Sequence, residues 1–224
     1  MPDPLVTADG PTAARRSWQA IDGSLEPLDF DGLTDMRFPE PLAEYVIDRF
    51  SRPGEWVLDP FCGFGTTLTV AHRLGREAVG FERDRERADF TRPRLPDPSR
   101  LVVASAEDVP AGSWPGFSLL FTGPPYTSFR TSQAADARAT HLDDARRIFA
   151  GLTRFLLPGA AVVVEVSQAR RPEWTETRPL VWEFGMLLSE LFRLSEDIVF
   201  VHTGPEKAAP GYHHTHVLVF RYEP

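Results

Sequence analysis

Trp56-Val57-Leu58-Asp59-Pro60-Phe61-Cys62-Gly63-Phe64-Gly65-Thr66-Thr67 is the stretch whose reading decides the fold. An apolar run, Trp56 to Leu58, ends at Asp59-Pro60-Phe61, and a turn with two glycines, Gly63 and Gly65, follows at once. Two threonines then lead into an amphipathic helix from Leu68 to about Leu74. Strand, glycine turn and helix N-terminus make the first βα unit of an open α/β sheet, where a ligand sits beyond the carboxyl end of the strand. Glycine lets the backbone approach that ligand closely, and the N–H groups of the first helical turn face it. The spacing is not the dinucleotide fingerprint, which needs glycine where Leu68 stands. It is not a P-loop either, because no Gly-Lys-Ser/Thr follows. Hydride transfer and kinase chemistry find no support.

The same residues carry a resemblance. Asp59 through Thr67 resembles the DPF-x-GSGTT cofactor loop of the amino-methyltransferases, which methylate N4 of cytosine or N6 of adenine. In that family the loop holds the methionine part of S-adenosylmethionine. The resemblance therefore implies this cofactor, with Asp59, Pro60, Phe61, Cys62, Gly63, Gly65, Thr66 and Thr67 around it. Phe64 departs from the family's Ser, while the glycine frame is intact. Upstream, Phe38-Pro39-Glu40-Pro41 opens a helix over Leu42–Phe50, with Leu42, Val46, Ile47 and Phe50 on one face. A Phe-Pro segment at this place lines the methionine end of the family's pocket, which implies Phe38 and Pro39; a plain helix start explains them as well.

Downstream, Glu77–Glu82 reads as a second strand ending in an acid, about twenty residues past the glycine turn, where a carboxylate accepts both ribose hydroxyls of a nucleoside. Glu82 is the ribose ligand by position and by the family's G-x-E pattern. Leu101–Ala104 is a third strand, followed by Ser105-Ala106-Glu107-Asp108, where the family often has an Asp-Ala pair for the adenine amino group. Ser stands at the Asp position, so the acceptor is one of Ser105, Glu107 or Asp108, with Ala106 beside it.

A fourth strand, Phe117–Phe121, runs into Thr122-Gly123-Pro124-Pro125-Tyr126. Consecutive prolines end the strand and stiffen the loop. This segment resembles the family's second signature, DPPY or SPPY. There, the first side chain and the carbonyl of the first proline accept hydrogen bonds from an exocyclic amine and draw its nitrogen toward a tetrahedral shape, while the aromatic residue stacks on a base flipped from its helix. The resemblance implies Gly123, Pro124, Pro125 and Tyr126 as the catalytic loop, with Pro124 giving the carbonyl and Tyr126 the stacking face. Gly123 has no side chain, so one acceptor is missing, a loss worth on the order of 10²–10³ in rate. Thr122, Thr127, Ser128 or a water would have to replace it, or the acceptor molecule needs less activation.

Other residues invite weaker readings. Cys62 lies in the cofactor turn and reads as a packed side chain rather than a nucleophile. His213, His214 and His216 suggest a metal only faintly, since two of them alternate along a strand without a Cys or acidic partner nearby in sequence, and no metal is expected. Glu165, near the carboxyl end of a fifth strand (160–166) that is wholly apolar up to it, is a candidate base, with a solvated strand end as the plain alternative. Phe129 and Arg130 would clamp a base and a phosphate, or belong to an ordinary polar loop. Residues 127–140 read as a long mobile loop over the site.

The chain of 224 residues is 42% hydrophobic and 25% charged, the profile of a soluble globular protein. No apolar run approaches the roughly 18 residues of a membrane helix, and no N-terminal signal pattern appears. A single Cys fits a reducing cytoplasm. The net charge of −8 runs against non-specific nucleic-acid binding, which needs a basic footprint. Residues 1–36 read as a tail and an irregular arm, and 37–224 as one domain, with residues 198–202 and 213–222 closing it as a hairpin. The expected fold is α/β, the Rossmann-like class I methyltransferase sheet of seven strands, mostly parallel with an antiparallel last strand. The implied partner is DNA or RNA, the alternative acceptor being a peptide, protein or small molecule. The small size and the missing recognition domain leave room for a homodimer or partner protein, and no membrane partner is expected.

Overall fold

The computed structural model describes residues 17–25, 28, 30, 37–109, 114–125, 135–167, 179–203 and 214–224, with residues 135–141 described by their backbone alone. Eight strands form one sheet: β1 Trp18–Asp22, β2 Trp56–Asp59, β3 Glu77–Glu82, β4 Leu101–Val103, β5 Phe117–Thr122, β6 Leu156–Val166, β7 Arg193–Thr203 and β8 His214–Arg221. Among the described residues five α-helices accompany them: α1 Glu40–Phe50, α2 Thr66–Arg73, α3 Arg85–Thr91, α4 Ala135–Leu152 and α5 Leu180–Ser189. The strand order is β1-β7-β8-β6-β5-β2-β3-β4. Only β8 runs antiparallel to its neighbours, β6 and β7. The mostly parallel sheet with an antiparallel last strand is thus the expected one, with an eighth strand added.

That added strand is β1. Residues 18–22, expected in an irregular arm outside the domain, lie parallel to β7 from Trp18↔Val199 to Asp22↔Thr203. The pairing covers what would have been an edge of the sheet. Its alternation is shallow: Gln19 and Ile21 are half-buried, and Trp18, Ala20 and Asp22 are exposed. A weak period-2 signal beside Asp and Gly explains why the strand is hard to see in the sequence. Two further expectations shift. Strand β6, expected over residues 160–166, begins at Leu156 and takes in Leu157-Pro158-Gly159, entered through a register shift opposite Phe117 and Leu119. Helix α4 begins at Ala135, inside the stretch expected as a loop.

Both faces of the sheet are covered, which is why its central strands read as continuous apolar runs. One face packs β-strand residues such as Leu58, Phe81 and Val162 against Phe149 of α4 and Phe184 of α5. The other packs Val57, Phe121 and Val163 against Leu42 and Ile47 of α1 and Leu68 of α2. Helix α1 starts on Pro39 with Pro41 in its first turn, where a missing N–H costs nothing. Far from the carboxyl ends of the strands, the buried Arg76 ties α1 to the α2–β3 turn by donating to the carbonyls of Ser51 and Leu74, both at 2.8 Å.

Chain order turns around between β2 and β5, which are parallel neighbours (Leu58↔Leu120) while β3–β4 lie to one side and β6 to the other. A crevice forms at such a switch point, outside the carboxyl ends of the strands. Close packing of β3 under the first loop is required there. A Cβ on Gly80 would stand 2.6 Å from Cys62 Cβ and 2.7 Å from Leu68 Cδ1. Gly80→Ala should therefore destabilise the fold by about 1–3 kcal/mol, read from a urea denaturation midpoint. An unchanged midpoint would mean that the loop has slack it does not display.

Candidate functional site at the switch point

The first loop is built by two left-handed glycines. Gly63 has φ +52° and Gly65 φ +75°, a region that a side chain rarely adopts. Gly65 also caps α2, and a Cβ there would meet Leu95 Cδ2 at 2.6 Å. Its N–H donates to the Cys62 carbonyl (2.7 Å), its carbonyl accepts from Thr69 N–H (3.0 Å), and Cys62 N–H reaches across to the Phe81 carbonyl (3.0 Å). At Gly63, by contrast, nothing lies nearer than 4.0 Å to a Cβ position, so the loop is open on that side.

Asp59 locks this loop to the neighbouring strand. Its carboxylate, 2% exposed, accepts from Thr67 Oγ1 (2.6 Å), Thr122 Oγ1 (2.7 Å) and Phe61 N–H (3.1 Å). Burial raises its pKa from the usual 3.8 to about 6, against the two hydroxyls and the N–H, which favour the anion, and with a small push from Glu82. Desolvation wins over three hydrogen bonds. Asp59 therefore acts on the loop's shape, and its oxygens are already engaged with protein donors.

Glu82, at the end of β3, is 5% exposed. Its Oε1 accepts from Asp84 N–H (2.7 Å) and its Oε2 lies 3.3 Å from Arg87 Nη1. An ionised carboxylate has about four acceptor positions, so it retains capacity for further donors. Cys62 is buried, its thiol pKa pushed well up by burial and by the Asp59 and Glu82 charges, and it fills the space above Gly80. That environment fits a packed side chain. Pro60 is buried, and Phe61 and Thr66 are half-buried in the same loop. Of the third cluster, Ser105 Oγ accepts from Glu107 N–H (3.3 Å), Ala106 is buried, and Glu107 and Asp108 are exposed. Glu107 leans toward Arg147, 3.8 Å away.

Phe64, the departure in the loop, has partners. Its ring meets Phe30 edge-on at 5.5 Å and Phe90 at 6.0 Å, and these two meet each other at 4.7 Å. The guanidiniums of Arg87 and Arg37 stand 5.7 and 6.0 Å from its centroid. An aromatic residue here pins the N-terminal arm and α3 to the outside of the loop, a contact no reading of the loop alone could foresee.

Gly123, Pro124 and Pro125 follow directly on Thr122 at the end of β5. Pro124 is buried and Pro125 half-buried. Phe38 packs on Phe121 at 4.7 Å, and a Cβ on Gly123 would lie 3.5 Å from Phe38 Cδ1. The structure thus brings Phe38, with the buried Pro39 behind it, to the second loop. Tyr126 lies outside the described residues, as do Thr127, Ser128, Phe129 and Arg130. Glu165, left open by the sequence, points into this corner, its Oε2 lying 3.1 Å from the Gly123 Cβ position.

The histidines form no such corner. His213 lies outside the described residues. His216 pairs with Asp197 across β7 and β8 (3.0 Å), an acid the local sequence did not offer. Among the described residues no group of three His, Cys, Asp or Glu is placed to hold a metal, and no helix is long and apolar enough to cross a membrane.

Comparisons with known proteins point the same way. Residues 25–92 match the DNA methylase family model, a span that includes the first loop and Glu82 and stops before Gly123. The chain is 42% identical over 76 residues to the type II methyltransferase M.HinfI of Haemophilus influenzae and 34% identical over 86 residues to M.MthZI of Methanothermobacter thermautotrophicus. These alignments take in 32% and 38% of this chain, and the chain spans only 21% and 24% of those two relatives. Among solved structures, magnesium protoporphyrin IX methyltransferase (ChlM) from Synechocystis PCC 6803, determined with bound SAM, superposes with a TM-score of 0.55 at 9% identity, over 82% of this chain and 77% of that one. The fold is that of class I methyltransferases, and the first loop resembles that of the DNA N4/N6 amino-methyltransferases.

The buried carboxyl offers a direct test. Asp59 holds its proton to higher pH in the folded chain than in the unfolded one, so the stability it contributes is complete below about pH 4 and is lost as pH rises through about 6. Asn at this position never ionises. The stability of Asp59→Asn relative to the parent should therefore improve by about 2 kcal/mol between pH 4 and pH 7, measured by denaturant titration at each pH. A difference that stays constant would mean that burial does not control this group.

Proposed function

We propose that the protein is a methyltransferase that uses S-adenosylmethionine to methylate an exocyclic amine of a nucleobase in DNA. The observation that carries this reading is the Thr122–Asp59 hydrogen bond. It joins the loop with the DNA methylase match to the Gly123-Pro124-Pro125 loop, so that both face one crevice at the switch point.

The residues present fit the cofactor. The open side of Gly63 leaves a cradle for a ligand against the backbone, and α2 begins there with its positive end toward the cradle. Glu82 would take the ribose hydroxyls with its remaining lone pairs. Phe38, Pro39 and the loop from Asp59 to Thr67 would enclose the methionine end, and the Ser105–Glu107 turn the adenine. When bound, the cofactor supplies an electrophilic methyl group on a positively charged sulfur.

The chain's own contribution is to orient the acceptor. An aromatic amine is a poor nucleophile because its lone pair is delocalised into the ring. The Pro124 carbonyl would accept one amine N–H, which turns the lone pair out of the ring plane and toward the methyl group. Tyr126 would hold the extruded base by stacking. Proline at 124 and 125 fixes φ on both sides of that carbonyl, so little reorganisation is needed as charge develops on nitrogen. The acid excess of the chain argues that the strength of DNA binding comes from a local surface or a partner.

Incubation with methyl-labelled S-adenosylmethionine and a host lysate, followed by separation into DNA, RNA, protein and small molecules, tests the proposal. Label should appear in DNA, as N6-methyladenine or N4-methylcytosine after digestion to nucleosides. Label confined to a protease-sensitive or low-mass fraction would overturn the nucleobase reading.

A further inference from the structure

The second loop lacks the side-chain acceptor that its family signature begins with, and the structure has a carboxylate standing in the same place. Strands β5 and β6 are parallel neighbours with Thr122 opposite Val164, so the next residues along, Gly123 and Glu165, are also side by side. Phe121 and Val163, two residues earlier on each strand, both pack on the α1–α2 face. By the alternation of a strand, Gly123 and Glu165 turn to that face too. The distances agree. Glu165 Oε2 lies 3.1 Å from where a Cβ on Gly123 would be, and Phe38 closes the other side at 3.5 Å.

The carboxylate is also held. Ser167 Oγ donates to Glu165 Oε1 at 3.0 Å, the hydroxyl of Thr215 on β8 bonds to the same oxygen, and the two hydroxyls are 2.9 Å apart. Thr215 is buried. Anchoring one oxygen by two hydroxyls fixes the rotamer and directs the other oxygen at Gly123. A long side chain from the next strand thus reaches the volume that a short one would fill from position 123 itself. Glycine at 123 is the residue that leaves this path open.

We infer that Glu165 is the missing acceptor: its Oε2 takes the second N–H of the target amine, opposite the Pro124 carbonyl. This rests on the nucleobase-amine reading above. As the nitrogen lone pair forms the new N–C bond, the C–S bond breaks and its electron pair stays on sulfur, leaving a neutral thioether. The positive charge that arises on nitrogen is relieved when the N–H proton passes to the Glu165 carboxylate and from there to water.

The test uses unmethylated DNA amplified from the host genome, labelled S-adenosylmethionine and five proteins: the parent, Glu165→Ala, Glu165→Gln, Gly123→Asp and the double variant Glu165→Ala/Gly123→Asp. Transfer to DNA should fall at least about 10²-fold in Glu165→Ala. Glu165→Gln should fall comparably with its melting temperature kept. Its carbonyl replaces Oε1 at Ser167 and Thr215, and its NH₂ then faces the amine as a second donor. The double variant should regain at least tenfold over Glu165→Ala, a recovery that a purely structural role for Glu165 would not produce. Affinity for S-adenosylhomocysteine should be unchanged throughout, which separates acceptor loss from cofactor loss. One readout needs no turnover. Gly123→Asp alone crowds two carboxylates and should lower the melting temperature by about 3 °C or more, and this loss should shrink by more than half in the Glu165→Ala background. Parental transfer by Glu165→Ala or Glu165→Gln would overturn the inference, as would an unrescued double variant that still binds the cofactor product, or an equal thermal loss in both backgrounds. If the parent labels no DNA at all, the nucleobase reading itself fails and the amine role of Glu165 falls with it.

Discussion

The architecture of the crevice depends on one buried carboxylate. Asp59 ends β2, Thr67 lies in the first turn of α2 and Thr122 ends β5, and the two hydroxyl bonds to Asp59 make these three ends one unit. The cost is visible in the raised pKa: removing a carboxylate from water outweighs what two hydroxyls and an N–H return. A chain selected for stability alone would have an amide or an apolar residue here. What the arrangement secures is geometry, since a change in the position of either loop must break a charge-assisted bond in a nearly water-free place.

Around that unit the remaining parts act as outer supports. Gly80 lets Cys62 and Leu68 come down onto β3, and Cys62 N–H bonds to β3 through the Phe81 carbonyl. Phe64 holds the loop from outside through Phe30 and Phe90, while Arg87 spans from that aromatic group to Glu82. The residue that departs most from the family signature is therefore a packing residue on the far side of the glycines.

Local signals made most of this fold legible in the sequence. Strand β3 is found at the expected residues, and β2, β5 and α2 lie within a residue or two of them, because apolar runs, glycines and prolines punctuate the chain there. The elements that escaped are those whose reason is non-local. Trp18–Asp22 is a strand because β7 offers an edge, not because of its own pattern. The start of β6 hides behind Leu157-Pro158-Gly159, which reads as a turn and is accommodated by a register shift. The spacing did place Asp59 at the end of one strand and Glu82 at the end of its neighbour. The bonding of Asp59 to Thr122, 63 residues away, was not legible there, nor was the approach of Glu165 to Gly123.

On the acceptor role proposed for Glu165, Gly123 shows how a signature can lose a residue without losing a function. A motif is a run along one strand, whereas a site is a volume at the ends of several. In a parallel sheet, neighbouring strands lie about 4.8 Å apart, and a glutamate carries its carboxylate one methylene farther from the backbone than an aspartate. That extra reach, directed by Ser167 and Thr215, is enough to cross from β6 to the end of β5 provided position 123 has no side chain in the way. The two positions are then coupled by volume and by charge. A carboxylate at both would repel its neighbour, and on the proposed mechanism one at neither would leave the amine with the Pro124 carbonyl alone. Gly123 is in this sense the complement of Glu165 rather than a defect in the loop.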